Sequence, residues 1–544
     1  MIRAMKRIAV VVLALLALTV SAFAPQGAEP IDTAAIAMIR DEGLNRSQVM
    51  DTIFWLTDRY GPRLTGSPEF EEAGDWAIKR LESWGVRNLR KERFTSGRGW
   101  SLVNFHATMV EPRVMPIIGM PKAWSPGIGR TVVADVVRPQ IASEADAAKY
   151  RGQLRGKIVL TQSARAVRML EYGDGFVARY DDQGGRWRAE AMTPPAPVPA
   201  AGRAAGPAPP PGAGRGGGRA NTPVFNINEF YRAEGVLALF DRGAAGDLQP
   251  GGSNLSWVHQ RPDGGTIFVQ SGASPYDVSG AVLPQVTLAV EHYNRMVRLL
   301  EHNVPVKVEL NLRTAFTEET ASRPSSFNIV GEIPGTDKAD EFVLIGAHFD
   351  SWHGATGATD NAAGSASMME VLRILTATGL RPRRTIRIGL WGNEENGLYG
   401  SAAYAREHLG TTDAPKPDLS RMAAYFNLDN GTGPVRGVWT QGNEAARRIF
   451  TTWAAPLRDL GVDLMSPRGV SSTDHVSFHN LGVPAFQFVQ ERLEYTSRTH
   501  HSNMDFYDRV QPDDVKQAAT VAAVFAWQAA NRDALLPRVA QGGR

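Results

Sequence analysis

Several side chains suited to metal-assisted hydrolysis lie in the second half of this 544-residue chain. His348 and Asp350 follow the apolar run Phe342-Val343-Leu344-Ile345-Gly346-Ala347, and Asp360 stands twelve residues after His348, just before a helical stretch. Glu394-Glu395 follow the next strong apolar run, Asp429 closes Tyr425-Phe426-Asn427-Leu428, and His500-His501 come near the C-terminal end. Zinc takes neutral imidazole and carboxylate ligands at about 2.0–2.2 Å. A carboxylate that binds two ions holds them about 3.5–4 Å apart. His348, Asp360, Glu395, Asp429 and His501 supply two imidazoles and three carboxylates, a set suited to two Zn2+ ions. Asp360 is the best shared ligand, because its loop follows the His348 loop closely. Each ion then has one imidazole and one private carboxylate, with a water between the ions. Three carboxylates against two divalent cations leave a net positive site that favours hydroxide and polarises a carbonyl.

Glu394 need not be a ligand. Consecutive side chains of an extended segment point to opposite sides, so Glu395 faces the metal while Glu394 faces the water and moves its proton. Asp350 is placed to orient the imidazole of His348. His353, His475 and His479 stay open as replacements for one of the chosen histidines. His106, His259, His292, His302 and His408 read as surface or packing residues. The Asp474-His475 loop is expected to border the substrate pocket.

The elements that must position these residues have their own signature. Apolar runs at 342–347, 386–391 and 422–428 read as strands, and they alternate with helices at 362–375, 402–408 and 515–531. Such alternation predicts an α/β fold: a mixed, mostly parallel sheet sandwiched by helices. Ligands then gather at the carboxyl ends of the strands. Residues 32–90 show helical spacing broken by a loop at 61–68. Residues of about 125–300 read as a separate β-rich module, with strands at 131–137, 156–160, 266–269 and 286–290 and a helix at 230–240, and a further alternating strand follows at 306–312. Within it, 192–222 is Pro/Gly/Ala-rich and has too little to bury to offset its ordering entropy; it reads as a solvated insertion. The domain expectation is a signal peptide at 1–24, the N-terminal part of a catalytic domain at 30–122, an insert at 123–305 and the rest of the catalytic domain at 306–535.

Composition narrows the field. The chain has no cysteine, which excludes disulfides, thiolate metal sites and a cysteine nucleophile. Arg3, Lys6 and Arg7 precede an apolar run of 13 residues and Ala22-Phe23-Ala24, the pattern of an export signal. The run is too short for a bilayer span, which needs about 20 residues, and no later segment supplies one. The formal charge of +3 is carried by that leader, so the remainder is neutral and lacks the basic excess of a nucleic-acid binder. An exported protein is expected, with a homodimer left open.

The motifs resemble those of the co-catalytic di-zinc exopeptidases, the family of bacterial leucine aminopeptidases and carboxypeptidase Q-like proteins. The matching segments are Gly346-Ala347-His348-Phe349-Asp350-Ser351, residues 357–364, Trp391-Gly392-Asn393-Glu394-Glu395 with the residues up to Ser401, Asn427-Leu428-Asp429, and residues 500–505. Tyr60-Gly61-Pro62-Arg63-Leu64-Thr65-Gly66-Ser67 also resembles the family's N-terminal segment. The resemblance implies His348 and Asp429 on one zinc, Glu395 and His501 on the other, Asp360 bridging and Glu394 as the base. It also implies that the β-rich module is a protease-associated domain. Where many aminopeptidases carry a tyrosine before the last histidine ligand, this chain has His500; either His500 or Tyr495 then polarises the scissile carbonyl. A non-catalytic receptor on the same fold and a glutaminyl cyclase-type acyltransferase are the alternatives.

Overall fold

In the computed structural model of the protein, residues 29–167, 186–193, 225–243 and 264–539 are described. The segment read as a signal peptide, His259, and all but the first two residues of the 192–222 insertion lie outside the described residues.

One eight-stranded sheet carries the motifs. Its order is Arg87–Phe94, Ser326–Ile333, Arg384–Trp391, Lys338–His348, Met422–Asn427, Ala485–Gln490, Val435–Trp439 and Leu464–Ser466. The four strands from Arg384–Trp391 to Ala485–Gln490 run parallel, and antiparallel neighbours flank them. The sheet is therefore mixed with a parallel centre, as the alternation of runs predicts. In strand Lys338–His348, the stretch Phe342 to Ala347 shows why its sequence is apolar throughout. Val343, Ile345 and Ala347 pack under one helical layer, while Phe342 and Leu344 pack into the opposite one. A central strand covered on both faces has no solvent side to mark with polar residues.

The first layer contains the helices Thr33–Asn45, Val49–Phe54, Ala363–Ala377 and Pro512–Asn531. Pro512–Asn531 starts with proline and places Asp513 and Asp514 in its first turn, where the helix dipole favours them. The opposite layer includes Tyr399–Tyr404 and His475–His479.

A second eight-stranded sheet has the order Met115–Pro116, Gly99–Glu111, Lys307–Thr317, Val132–Val137, Ile158–Leu160, Ala238–Asp241, Gln285–Leu288 and Gly119–Pro121. It draws in strands on both sides of the 123–305 range expected for the insert. Helix Val290–Glu301 packs Tyr293, Met296 and Val297 into its core.

Three expected elements differ. The 230–240 stretch is not one helix: Ile227–Ala233 is helical, Gly235 turns the chain at φ 73°, and Ala238–Asp241 is a strand. Residues 266–269 form no strand, only an isolated bridge from Phe268 to Ser502. Helical structure ends before residue 90, because Gly85 at φ 86° closes Pro68–Ser83 and Arg87–Phe94 joins the sheet edge.

The two sheets meet through Leu64, Trp100, Ala123, Trp124 and Trp352. His353 is buried at this junction, its Nε2–H donating to the Pro121 carbonyl at 2.6 Å. Burial lowers its pKa to about 4, against the pull of that hydrogen bond. Between pH 6.5 and about 4 the unfolded chain binds a proton here that the folded chain does not, so stability falls as pH drops through that window. For His353 alone the loss is up to about 3 kcal/mol. Urea unfolding at stepped pH is expected to show a shallower acid loss in His353→Gln than in the parent; equal slopes would contradict a buried neutral imidazole.

Candidate metal centre

Parallel packing brings the polar residues at the strand ends together. His348 is the last residue of Lys338–His348, and Asp429 lies two residues beyond Met422–Asn427, the strand beside it. His348 Nε2 lies 3.2 Å from Asp360 Oδ1 and 3.4 Å from Asp429 Oδ1. His501 Nε2 lies 3.3 Å from Asp360 Oδ2 and 3.0 Å from Glu395 Oε2. The two oxygens of Asp360 thus face two different imidazoles, each accompanied by a second carboxylate.

The loops are tied down from several directions. Gly357, at φ 66°, lets residues 357–362 turn against Ser351; a Cβ there would stand 2.3 Å from the Ser351 Cβ. The backbone N–H groups of Thr359 and Asp360 both donate to the Asp505 carboxylate, at 2.7 and 3.1 Å. Asn361 Nδ2 donates to the Leu428 carbonyl at 3.0 Å, linking the Asp360 loop to that of Asp429. A directed chain of hydrogen bonds runs beneath: Trp391 Nε1–H to Tyr425 OH, Tyr425 to Asn427 Oδ1, Asn427 Nδ2–H to Gln487 Oε1, and Gln487 Nε2–H to the Asp429 carbonyl. Such aligned donors polarise one another and hold the Asp429 backbone.

Asp350 orients His348 mainly through its backbone. His348 Nδ1 is 3.0 Å from the Asp350 carbonyl and 3.7 Å from its carboxylate. The carboxylate itself accepts from Thr65 Oγ1 at 3.0 Å and from the Glu394 N–H at 3.1 Å, so it also fixes the Glu394-Glu395 turn.

Electrostatics match a cation site. Burial works against charge on His348, but Asp429 and Glu394 outweigh it and hold the imidazole pKa well above its usual value. Glu395 is pushed up by burial and by Asp360, Asp350 and Asp429. Glu394 is pushed up by burial and by Asp429, Asp474 and Glu395, against His348. Cations beside these groups act in the opposite direction. The donor set is right for zinc. Asp360 Oδ2 and Glu395 Oε1 are buried and make no hydrogen bond within the protein, as ligand atoms aimed at an ion would be.

His500 reaches the same rim: its Nε2 is 3.9 Å from Asp360 Oδ2, and its ring stacks on His501 with centroids 3.6 Å apart. The Tyr495 ring packs edge-on against the His500 ring, centroids 4.9 Å apart. Tyr495 is buried, and Gly431 leaves room for it, since a Cβ at 431 would stand 2.8 Å from the Tyr495 Cβ. Burial and the carboxylates of Asp360, Asp429, Glu395 and Glu394 keep the Tyr495 hydroxyl protonated. Asp474 is buried near Asp429 and Asp350, and burial with those charges raises its pKa to about 8. The other candidate histidines go elsewhere. His353 sits at the junction of the sheets, and His475 Nε2 lies 3.1 Å from the Val470 carbonyl with Gln441 beside it.

Residues 328–526, which hold all five ligand candidates, match the model of peptidase family M28. Along nearly its full length it is similar to carboxypeptidase Q of Mus musculus: 24% identity over 506 residues, covering 93% of this chain and 90% of that one. Its fold is shared with a peptidase M28 precursor from Shewanella amazonensis, with a TM-score of 0.62, 23% identity and coverage of 92% and 97% of the two chains. A zinc aminopeptidase from Bacillus subtilis has the same fold at a TM-score of 0.52 and 17% identity, over 89% of this chain and 95% of that one.

Sequence reasoning passed over Arg63, Thr65 and Asp505, although all three fall inside segments singled out for their resemblance. Arg63 is fully buried. Its Nε donates to the Phe349 carbonyl at 2.8 Å and its Nη atoms to the carbonyls of Leu56, Thr356 and Gly357 at 2.5, 3.0 and 3.1 Å. Burial lowers its pKa to about 10, still cationic at neutral pH, with Asp505, Asp350, Asp360 and Glu395 supporting the charge. Arg63→Met leaves four carbonyls without that donor and is expected to cost about 3 kcal/mol in urea unfolding; a loss below about 1 kcal/mol would show that the guanidinium does not hold these loops.

Proposed function

We propose that this chain is an exported di-zinc exopeptidase that hydrolyses peptide bonds near a free terminus. The observation that carries the reading is the position of Asp360, whose two carboxylate oxygens face separate ligand sets. His348 and Asp429 would hold one ion, Glu395 and His501 the other, with Asp360 shared. When bound, a zinc pair supplies Lewis-acid polarisation of the scissile carbonyl and a water acidified from 15.7 towards about 7. The chain's own residues do the rest. Glu394, fixed by its N–H bond to Asp350, takes a proton from the attacking water and delivers it to the leaving amine. Either His500 or Tyr495 supplies the donor to the oxygen that gains charge.

The leader at 1–24 supports export, and among the described residues no helix is long and apolar enough to cross a membrane. We assign the second sheet to the protease-associated insert. A receptor without activity on this fold is disfavoured, because all five ligand candidates are present and converge. The likeness to carboxypeptidase Q and to a zinc aminopeptidase supports an exopeptidase without selecting the terminus.

Glu394→Gln is expected to lower kcat by at least about 100-fold while the protein retains its zinc, measured by peptide hydrolysis and by metal analysis of the same sample. Turnover close to the parent's would refute the base. A panel of peptides with free and blocked termini is expected to be cleaved only when one terminus is free; cleavage of doubly blocked peptides would exclude an exopeptidase.

A further inference from the structure

The two imidazoles of the cluster are held by different parts of the fold. His348 leans on Asp350, two residues away on its own strand end. His501 leans on the second-sheet module. Its Nδ1 lies 2.9 Å from Gln270 Nε2, across 231 residues of sequence. The segment 265–270, which lies between the second-sheet strands Ala238–Asp241 and Gln285–Leu288, grips the loop around His501 at several points. Phe268 pairs with Ser502 in an antiparallel bridge. The Val269 N–H donates to the His501 carbonyl at 3.2 Å, and the Ile267 N–H donates to Asn503 Oδ1 at 2.7 Å. Asn503 answers with its backbone N–H to the Ile267 carbonyl and its Nδ2 to the Gly265 carbonyl. The Phe268 ring lies against the His501 ring, centroids 5.7 Å apart and 30° between planes.

This grip opposes a local cost. His501 has φ 55°, in the left-handed region that a residue with a Cβ adopts only when its surroundings impose it. Gln270 is itself anchored, since its carbonyl accepts from the Ala123 N–H at 3.2 Å, next to the tryptophan cluster where the sheets meet.

We propose that Gln270 is a positioning residue for the second ion of the pair, so that the second-sheet module completes the metal centre. This rests on the di-zinc reading above. A histidine that gives its Nε2 lone pair to a cation carries its proton on Nδ1 and needs an acceptor there. A glutamine amide presents either its oxygen or its nitrogen to the same place by a half-turn of its end group. With Oε1 turned to Nδ1–H, Gln270 selects the tautomer whose Nε2 faces Asp360 and Glu395. The same contact holds the ring plane.

The test uses the full-length protein and three variants. Gln270→Met keeps the shape and removes the acceptor, Gln270→Glu keeps an acceptor, and Gln270→Asn shortens the reach. Zinc affinities are read by competition with a chromophoric chelator, and thermal stability is read on the metal-free proteins. In Gln270→Met and Gln270→Asn one of two ions is expected to bind about 10–100-fold more weakly, the other unchanged, with metal-free melting temperatures equal to the parent's. Gln270→Glu is expected to restore tight binding of both. Parent-like affinity for both ions in Gln270→Met, or equal weakening of both, overturns the assignment. A Gln270→Glu protein as weak as Gln270→Met does so as well. A parent protein that binds fewer than two ions refutes the di-zinc reading itself, and this inference falls with it.

Discussion

Like charges crowded away from water constrain everything else in this molecule. Asp360, Asp429 and Glu395 converge on two imidazoles at the end of a buried sheet, with Asp350, Asp474 and Asp505 buried close behind them. Removing one carboxylate from water without compensation costs several kcal/mol. The fold answers with fixed partners wherever it has them: backbone N–H groups on Asp505, a threonine hydroxyl and an amide on Asp350, and the buried Arg63 cation nearby. Among the oxygens left over are Asp360 Oδ2 and Glu395 Oε1, within the cluster itself. We read a site of that kind as one for cations, held on either side of the Asp360 carboxylate.

The sheet makes this arrangement cheap to build. The loops of His348, Glu395 and Asp429 begin at the buried carboxyl end of a strand, so the strand's packing fixes the origin of the loop and only a few residues remain to be ordered. His348, Glu395 and Asp429 come from three neighbouring parallel strands. Asp360 and His501 arrive on longer excursions and need external ties. Asp505 and Asn361 provide them for Asp360, and the 265–270 segment provides them for the His501 loop.

That division explains what was legible in the sequence. A polar residue at the end of a strongly apolar run is conspicuous, and His348, Glu395 and Asp429 could be located from runs alone. Asp360 was placed by its closeness to His348 and the helix that follows it, whereas His501 had no such context, because its loop carries no periodicity. Arg63 was invisible as a structural residue: its partners lie 286 to 294 positions away as well as nearby, and an arginine in a loop reads as solvated. Gln270 left no mark at all. Short apolar stretches misled in both directions, since 230–240 and 266–269 are too brief for period alone to separate helix, strand and loop. The second sheet's use of Gly99–Glu111 and Lys307–Thr317 was equally hidden, because a strand's choice between two sheets depends on its neighbours in space.

The central claim concerns where two cations sit, and anomalous scattering at the zinc edge addresses it most directly. Crystals of the zinc-loaded protein should show two peaks about 3.5–4 Å apart, one between His348 and Asp429, the other between Glu395 and His501, with Asp360 touching both. A single peak, or peaks lying away from Asp360, would contradict the account.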